Sequence, residues 1–183
     1  MNKLIKHKKI IVTFAVILSI LFGVFIFKKL NNNDLQSIIT NSNKFEYITI
    51  NSIIMEIIIF TSSFLLSFTG IGIIILMTYL FFEGMSIGFI SAYFVSIYKI
   101  KGFVYSICYI LTYKAILIFL IIIIILKYMK LVNMIIKLLK KENVNITKTI
   151  VNILITFFII FANNIFLLFL GDKILNIFSF LIK

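Results

Sequence analysis

The stretch FVYSICYILTYKAILIFLIIIIIL, residues 103–126, carries a single charge, Lys114, in an otherwise apolar run. A bilayer core is about 30 Å thick, and a helix needs about 20 apolar residues to cross it. The run therefore reads as a transmembrane helix. Residues 10–27, 53–82 and 150–170 are further runs of the same kind. With 62% apolar residues and neither Pro nor Trp, the apolar content exceeds what a water-soluble core of this size needs, and it is gathered into uninterrupted blocks. The expected fold is all-α: a polytopic integral membrane helical bundle of about five transmembrane helices, forming one membrane domain.

The fifth helix comes from residues 85–97, a short apolar segment between a Glu83-Gly84 joint and the turn at 98–102. Lysine distribution decides how to count it. Lys3, Lys6, Lys8 and Lys9 precede the first run, and Lys127, Lys130, Lys137, Lys140, Lys141 and Lys148 crowd residues 127–149 against Glu142 alone. The positive-inside rule places both groups in the cytoplasm. An odd number of crossings must then lie between the first run and 127–149. A re-entrant 85–97 gives two and exports six lysines, whereas a short span gives three. The N-terminus is thus expected in the cytoplasm and the C-terminus outside. Gly70 and Gly72 mark a possible bend or break inside 53–82.

Three parts follow from this count. Residues 1–27 are a basic N-terminus and membrane anchor, read as uncleaved because no small-x-small site follows it. Residues 28–51 are an extracytoplasmic polar loop. Residues 52–183 are the main transmembrane domain, with its basic cytoplasmic segment at 127–149. There Leu131, Met134, Ile135, Leu138 and Leu139 recur at helical spacing beside lysines. This pattern predicts an interfacial helix on anionic lipid, or a docking surface for a cytoplasmic partner.

The net charge of +12 comes from Lys without any Arg. It reads as topology and not as nucleic-acid binding, since no basic face is free of the spans. Cys108 and His7 are each alone, so no disulfide, metal cluster or catalytic pair is expected. There is no nucleotide loop, zinc pattern or nucleophile–base set. No enzyme activity and no cofactor are expected.

Two sets of residues stand out. Gly84, Gly88, Ala92 and Ser96 step by four and line one helix face. Such a face lets another helix approach closely, either a partner (or a second copy) or one of the protein's own spans. The intramembrane charges are Glu56, Glu83 and Lys114. A mid-span Lys costs about 2.5–3.5 kcal/mol on insertion scales, so Lys114 should face protein or water. It reads as part of a proton or ion relay, or as a structural pair, with Glu56 the expected carboxylate. Both Glu residues are expected near the ends of their span. Asn163 and Asn164 are candidates for bridging helices.

The residues Gly70-Ile71-Gly72, Phe82-Glu83-Gly84, Gly88-Phe89 and Lys101-Gly102-Phe103 resemble the stage II sporulation protein M family over about residues 50–126. That family typically shows a Gly-x-Pro element before an aliphatic run and then a Phe-x-Lys-Gly-Phe-x-Ile-Gly-Phe box. Here Ile73 and Leu111-Thr112-Tyr113-Lys114 replace the proline elements, and Glu83 stands where Lys is common. The resemblance implies a non-enzymatic scaffold in the mother-cell membrane of an endospore former. Such a scaffold would anchor two peptidoglycan-cleaving partners, the stage II sporulation proteins D and P, during forespore engulfment. Asp34 and Glu46 would be contact points in the outer loop. A permease-like subunit with a separate ATPase is the competing expectation.

Overall fold

In the computed structural model, which describes residues 2–30 and 49–178, every element is helical. Helix α1 spans Asn2–Lys29, α2 Ile50–Leu65, α3 Ile71–Tyr109, α4 Ala115–Leu139 and α5 Thr147–Phe178. Four helical stretches are long and apolar enough to cross a membrane: Ile10–Lys29, Ile50–Thr69, Ile71–Leu139 and Thr147–Gly171. The third is folded on itself. Lys99 has φ 52° and ψ −125°, outside the helical region, and the chain doubles back there. Phe94 and Tyr105 then stack edge to face at 4.8 Å, and Gly102 lies against the Phe94 carbonyl.

Side-chain pairings set the direction of each rod. Phe27 meets both Phe89 and Tyr93, and Gly23 abuts Met85 and Phe89, so α1 runs parallel to residues 71–98. Phe60 meets Tyr79 while Gly72 abuts Ser63 and Ser67, so α2 and α3 are antiparallel. Lys127 reaches Asn152 and Tyr113 faces Gly171, which makes α4 and α5 antiparallel. The rods alternate in direction along the chain.

The break after α2 falls at Gly70, not at Glu83-Gly84. Residues 66–69 tighten into a 3₁₀ turn, and Gly70 takes φ 85°, the left-handed value that glycine adopts without a Cβ penalty. The expected 53–82 span is therefore two helices, and residues 85–97 are the far half of α3. Glycine read as a joint at position 84 is a packing residue, and the helix runs straight through it. The start of α2 is fixed by Thr49, whose hydroxyl accepts from the Ser52 N–H at 3.1 Å while Ser52 Oγ accepts from the Thr49 N–H at 3.0 Å.

In the basic segment, helix α4 continues unbroken to Leu139. Leu131 is fully buried and Ile135 packs on the core, while Leu138 and Leu139 at the end of the stripe are exposed. The helix closes with two bonds, Glu142 N–H to Lys137 O and Lys141 N–H to Leu138 O, with Lys141 at φ 61°. Likewise α5 runs past residue 170, where the last apolar run ends, to Phe178. Residues 31–48, with Asp34 and Glu46, lie outside the described residues.

Two buried clusters fill the bundle. One is largely aliphatic and includes Leu76, Leu80, Leu117, Ile121, Ile124, Leu131, Ile153 and Ile160, with Phe60 and Tyr128. The other is aromatic-rich and includes Phe27, Tyr93, Phe94, Tyr105, Tyr109 and Tyr113. The outer shell is apolar too: Phe14, Leu21, Leu65, Phe119, Phe158 and Phe169 are all exposed, as expected where the surrounding solvent is lipid. The chain is an all-α protein with the character of a multi-pass membrane protein.

Candidate functional site

A polar layer lies between the two clusters. On α3, Glu83 follows Leu80 of the aliphatic cluster and precedes Tyr93 of the aromatic one; just before α4, Lys114 sits between Tyr113 and Leu117. Lys114 Nζ is 2.7 Å from Glu83 Oε2, and the side chains are only 16% and 13% exposed. At 1.5 Å per residue, Glu83 is about 20 Å along α3 from Gly70 and about 24 Å from Lys99, close to mid-depth. It is not at a span end as expected. Its distance from any water-facing end removes the reason to treat it as a freely hydrated carboxylate.

Glu56 reaches the same level from α2, because α2 and α3 run antiparallel. It pairs with Asn164 of α5, whose Nδ2 donates to Glu56 Oε2, and not with Lys114. Glu56 thus lies deeper than expected. The bridge follows from the antiparallel pairing of α2 and α5, also seen in Phe60 against Phe157 and Phe161. Between the two carboxylates stands Tyr79, one turn before Glu83. Its hydroxyl is sealed from solvent and lies within interacting reach of both Glu56 and Glu83. Asn163 Nδ2 is also sealed, and unpaired.

The backbone turns Lys114 into this layer. Residues Ile110–Lys114 form a π turn, which carries one extra residue and rotates all that follows about the helix axis. Such turns recur at functional sites. Nothing in the sequence pattern marks a π turn. Tyr79 was missed for the same kind of reason: a tyrosine in an apolar run reads as core.

The small-residue face packs within the chain. A Cβ on Gly84 would strike Ser19 Oγ, and one on Gly88 would strike the Ile20 carbonyl. With Gly23 against Met85, α1 and α3 form a parallel small-residue contact between backbones. Ala92 packs against the aromatic cluster, while Ser96 bonds back to the Tyr93 carbonyl at 2.7 Å. Of the remaining motif residues, Gly70 ends the 3₁₀ turn, Gly72 and Gly102 sit at the two hairpin turns, Phe82 is exposed on the outer shell and Phe89 stacks on Phe27.

The layer is able to hold charge and exchange protons inside the bundle. Among the described residues, no three His, Cys, Asp or Glu side chains converge as a metal site. Compared with known proteins, the chain matches no family model, no curated protein and no solved structure.

Proposed function

We propose that the chain crosses the cell membrane five times, with its N-terminus in the cytoplasm, and acts as a non-enzymatic scaffold of the kind found in the stage II sporulation protein M family. The lysines of the α1 start and of residues 127–148 belong to the same end of the bundle by the helix pairings, which supports a cytoplasmic assignment for that end. The single observation that carries the scaffold reading is the mutual engagement of the mid-depth groups. Glu83 holds Lys114, Glu56 holds Asn164, and Gly84 and Gly88 hold α1. A bundle fastened in this way holds the end of α1, the start of α2 and the turn at Lys99 in fixed relation. That suits anchoring of wall-cleaving partners such as the stage II sporulation proteins D and P outside the membrane.

Deleting the gene and imaging membranes in cells induced to sporulate tests the reading. Arrest at a flat or bulging septum, rescued by the gene, is the expected result. Normal engulfment in a host without a second copy overturns it.

The π turn and the polar layer favour a second reading, a transporter subunit served by a separate ATPase at the 127–149 end. Under that reading Lys114→Leu abolishes flux while the protein stays assembled. Under the scaffold reading a folded Lys114→Leu protein still supports engulfment.

A further inference from the structure

Among the described residues, the charged side chains of the mid-depth layer are Glu56, Glu83 and Lys114. Two carboxylates against one ammonium leave one negative charge. At this depth an unbalanced ion is costly, and a buried group in that position sheds its charge. We propose that the layer is a proton-binding site in which Glu56 is held as a neutral carboxylic acid and Glu83 is the carboxylate of the ion pair.

Geometry assigns the proton between the two. Glu83 lies 2.7 Å from the Lys114 ammonium, which stabilises its charged form. Glu56 has the neutral amide of Asn164 as its hydrogen-bond partner, a contact that orients the carboxyl without balancing a charge. Tyr79 gives an independent reason. Its hydroxyl is sealed from solvent and placed between the two carboxylates, within interacting reach of each. It has one proton to donate. If both glutamates were ionised, one of them would face its oxygen lone pairs, which is repulsive in a dry site. A proton on Glu56 removes the conflict: Glu56 donates to Tyr79 Oη, and Tyr79 donates to Glu83.

The groups facing Glu56 complete the account. Helix α3 contributes Tyr79 and Glu83. The π turn contributes Lys114, with Tyr109 within its electrostatic reach. Helix α5 contributes Asn163 and Asn164, which do not titrate. Helix α1 lies against the far side of α3, where Ser19 meets Gly84 and bonds to its own Val16 carbonyl. None supplies a second positive charge.

The test is infrared spectroscopy of the full chain in liposomes at neutral pH, with carbon-13-labelled glutamate to mark the carboxyl bands. A protonated-carboxyl band in the wild type is expected. Glu56→Gln should lose it, Glu56→Asp should shift it to the unlabelled position, and Glu142→Gln, at an exposed site, should leave it unchanged. Because Gln mimics the neutral acid, Glu56→Gln should also melt within a few degrees of the wild type. Absence of the band in the wild type, or its survival in Glu56→Gln, overturns the proposal. So does a bandless wild type whose melting temperature rises with added sodium or potassium, which would place a metal cation where the proton is assigned. Should Glu56→Gln fail to fold, the aspartate shift alone decides.

Discussion

Removing the Lys114 ammonium should unfold much of what the polar layer holds. The Lys114–Glu83 contact is 2.7 Å, with each side chain mostly buried. At an effective dielectric of about 20, two charges at that distance attract by about 6 kcal/mol. Most of this offsets the cost of taking both ions out of water. What remains visible is the asymmetry: breaking a buried pair from one side typically costs about 3–5 kcal/mol, because the partner is left charged and alone. Lys114→Met should therefore destabilise by about that amount, and Glu83→Gln by a comparable one. The double variant removes both charges and should recover at least half of the loss, for a coupling of about 2 kcal/mol or more. Reversible unfolding in mixed micelles, measured for the four proteins of the cycle, gives the value directly. Additive losses, with coupling below about 0.5 kcal/mol, would show that the two side chains do not depend on each other and would refute the ion pair as the centre of the layer.

The packing of α1 gives a second expectation. Gly88→Leu drives a side chain into the Ile20 backbone, which cannot yield as a flexible side chain would. It should cost about 1–3 kcal/mol and abolish cross-linking of a Phe27→Cys/Phe89→Cys pair in a Cys108→Ala background, whereas Phe82→Leu on the exposed shell should leave the cross-link intact. At the hairpin turn, Lys99 holds φ 52° and ψ −125°, a region that penalises a Cβ. Lys99→Gly should gain about 1 kcal/mol, the relief of about 1–3 kcal/mol of strain less about 0.5–1 kcal/mol of glycine entropy, and Lys99→Ala should gain nothing; equal melting temperatures for the two variants would contradict the strained turn. Topology is checked with an impermeant thiol reagent on intact Cys108→Ala cells: Lys99→Cys should label at once, and Lys140→Cys only after permeabilisation. Labelling of both in intact cells would contradict the doubling back at Lys99.

The fold class was legible because length and apolarity of runs such as 103–126 depend only on composition, and the bilayer sets one threshold for all of them. Where one helix ends and the next begins was less so. Glu83-Gly84 looks like a joint because a charge and a glycine are rare inside spans, yet Glu83 is neutralised by Lys114 and Gly84 admits α1. Both exceptions need a partner that is distant in sequence. The real joint, Leu66–Gly70, falls at the bend or break that Gly70 and Gly72 marked in the sequence, and Ser67 and Thr69 hydroxyls support it by bonding back to Phe64 and Leu66. Residues 131–139 divide along their length. Their helical stripe is real, but periodicity reports only that a face is apolar: Leu131 and Ile135 meet the core, whereas Leu138 and Leu139 are exposed. The three intramembrane charges were visible as such. Their pairing was not, because it depends on an antiparallel register that brings Glu56 and Glu83 to one depth and on a π turn that aims Lys114.

That register itself has a physical source in the layer. Apolar rods in lipid gain little from one alignment over another, since sliding by a turn exchanges one aliphatic contact for a similar one. Polar groups break the degeneracy. At a single depth α1 contributes Ser19 against Gly84, α2 Glu56, α3 Tyr79 and Glu83, the π turn Lys114 and α5 Asn164. A slip of one turn on α2, on either arm of the Lys99 hairpin or on α5 would strand at least one of these without its partner in a dry environment, at a cost of a few kcal/mol; on α1 it would drive a side chain against Gly84 or Gly88. The aliphatic cluster on one side and the aromatic one on the other then pack as the layer dictates. Buried polar groups that fix alignment at some expense of stability are known from coiled coils, and here the same logic accounts for the π turn. One extra residue in the backbone weakens the helix locally, but it lets Lys114 meet Glu83 while Leu117, Ile121 and Ile124 still face the aliphatic core. A regular helix through 110–114 would satisfy the aromatic contacts of Tyr105 and Tyr109 before it, or the ion pair and the aliphatic core from Lys114 onward, and not both.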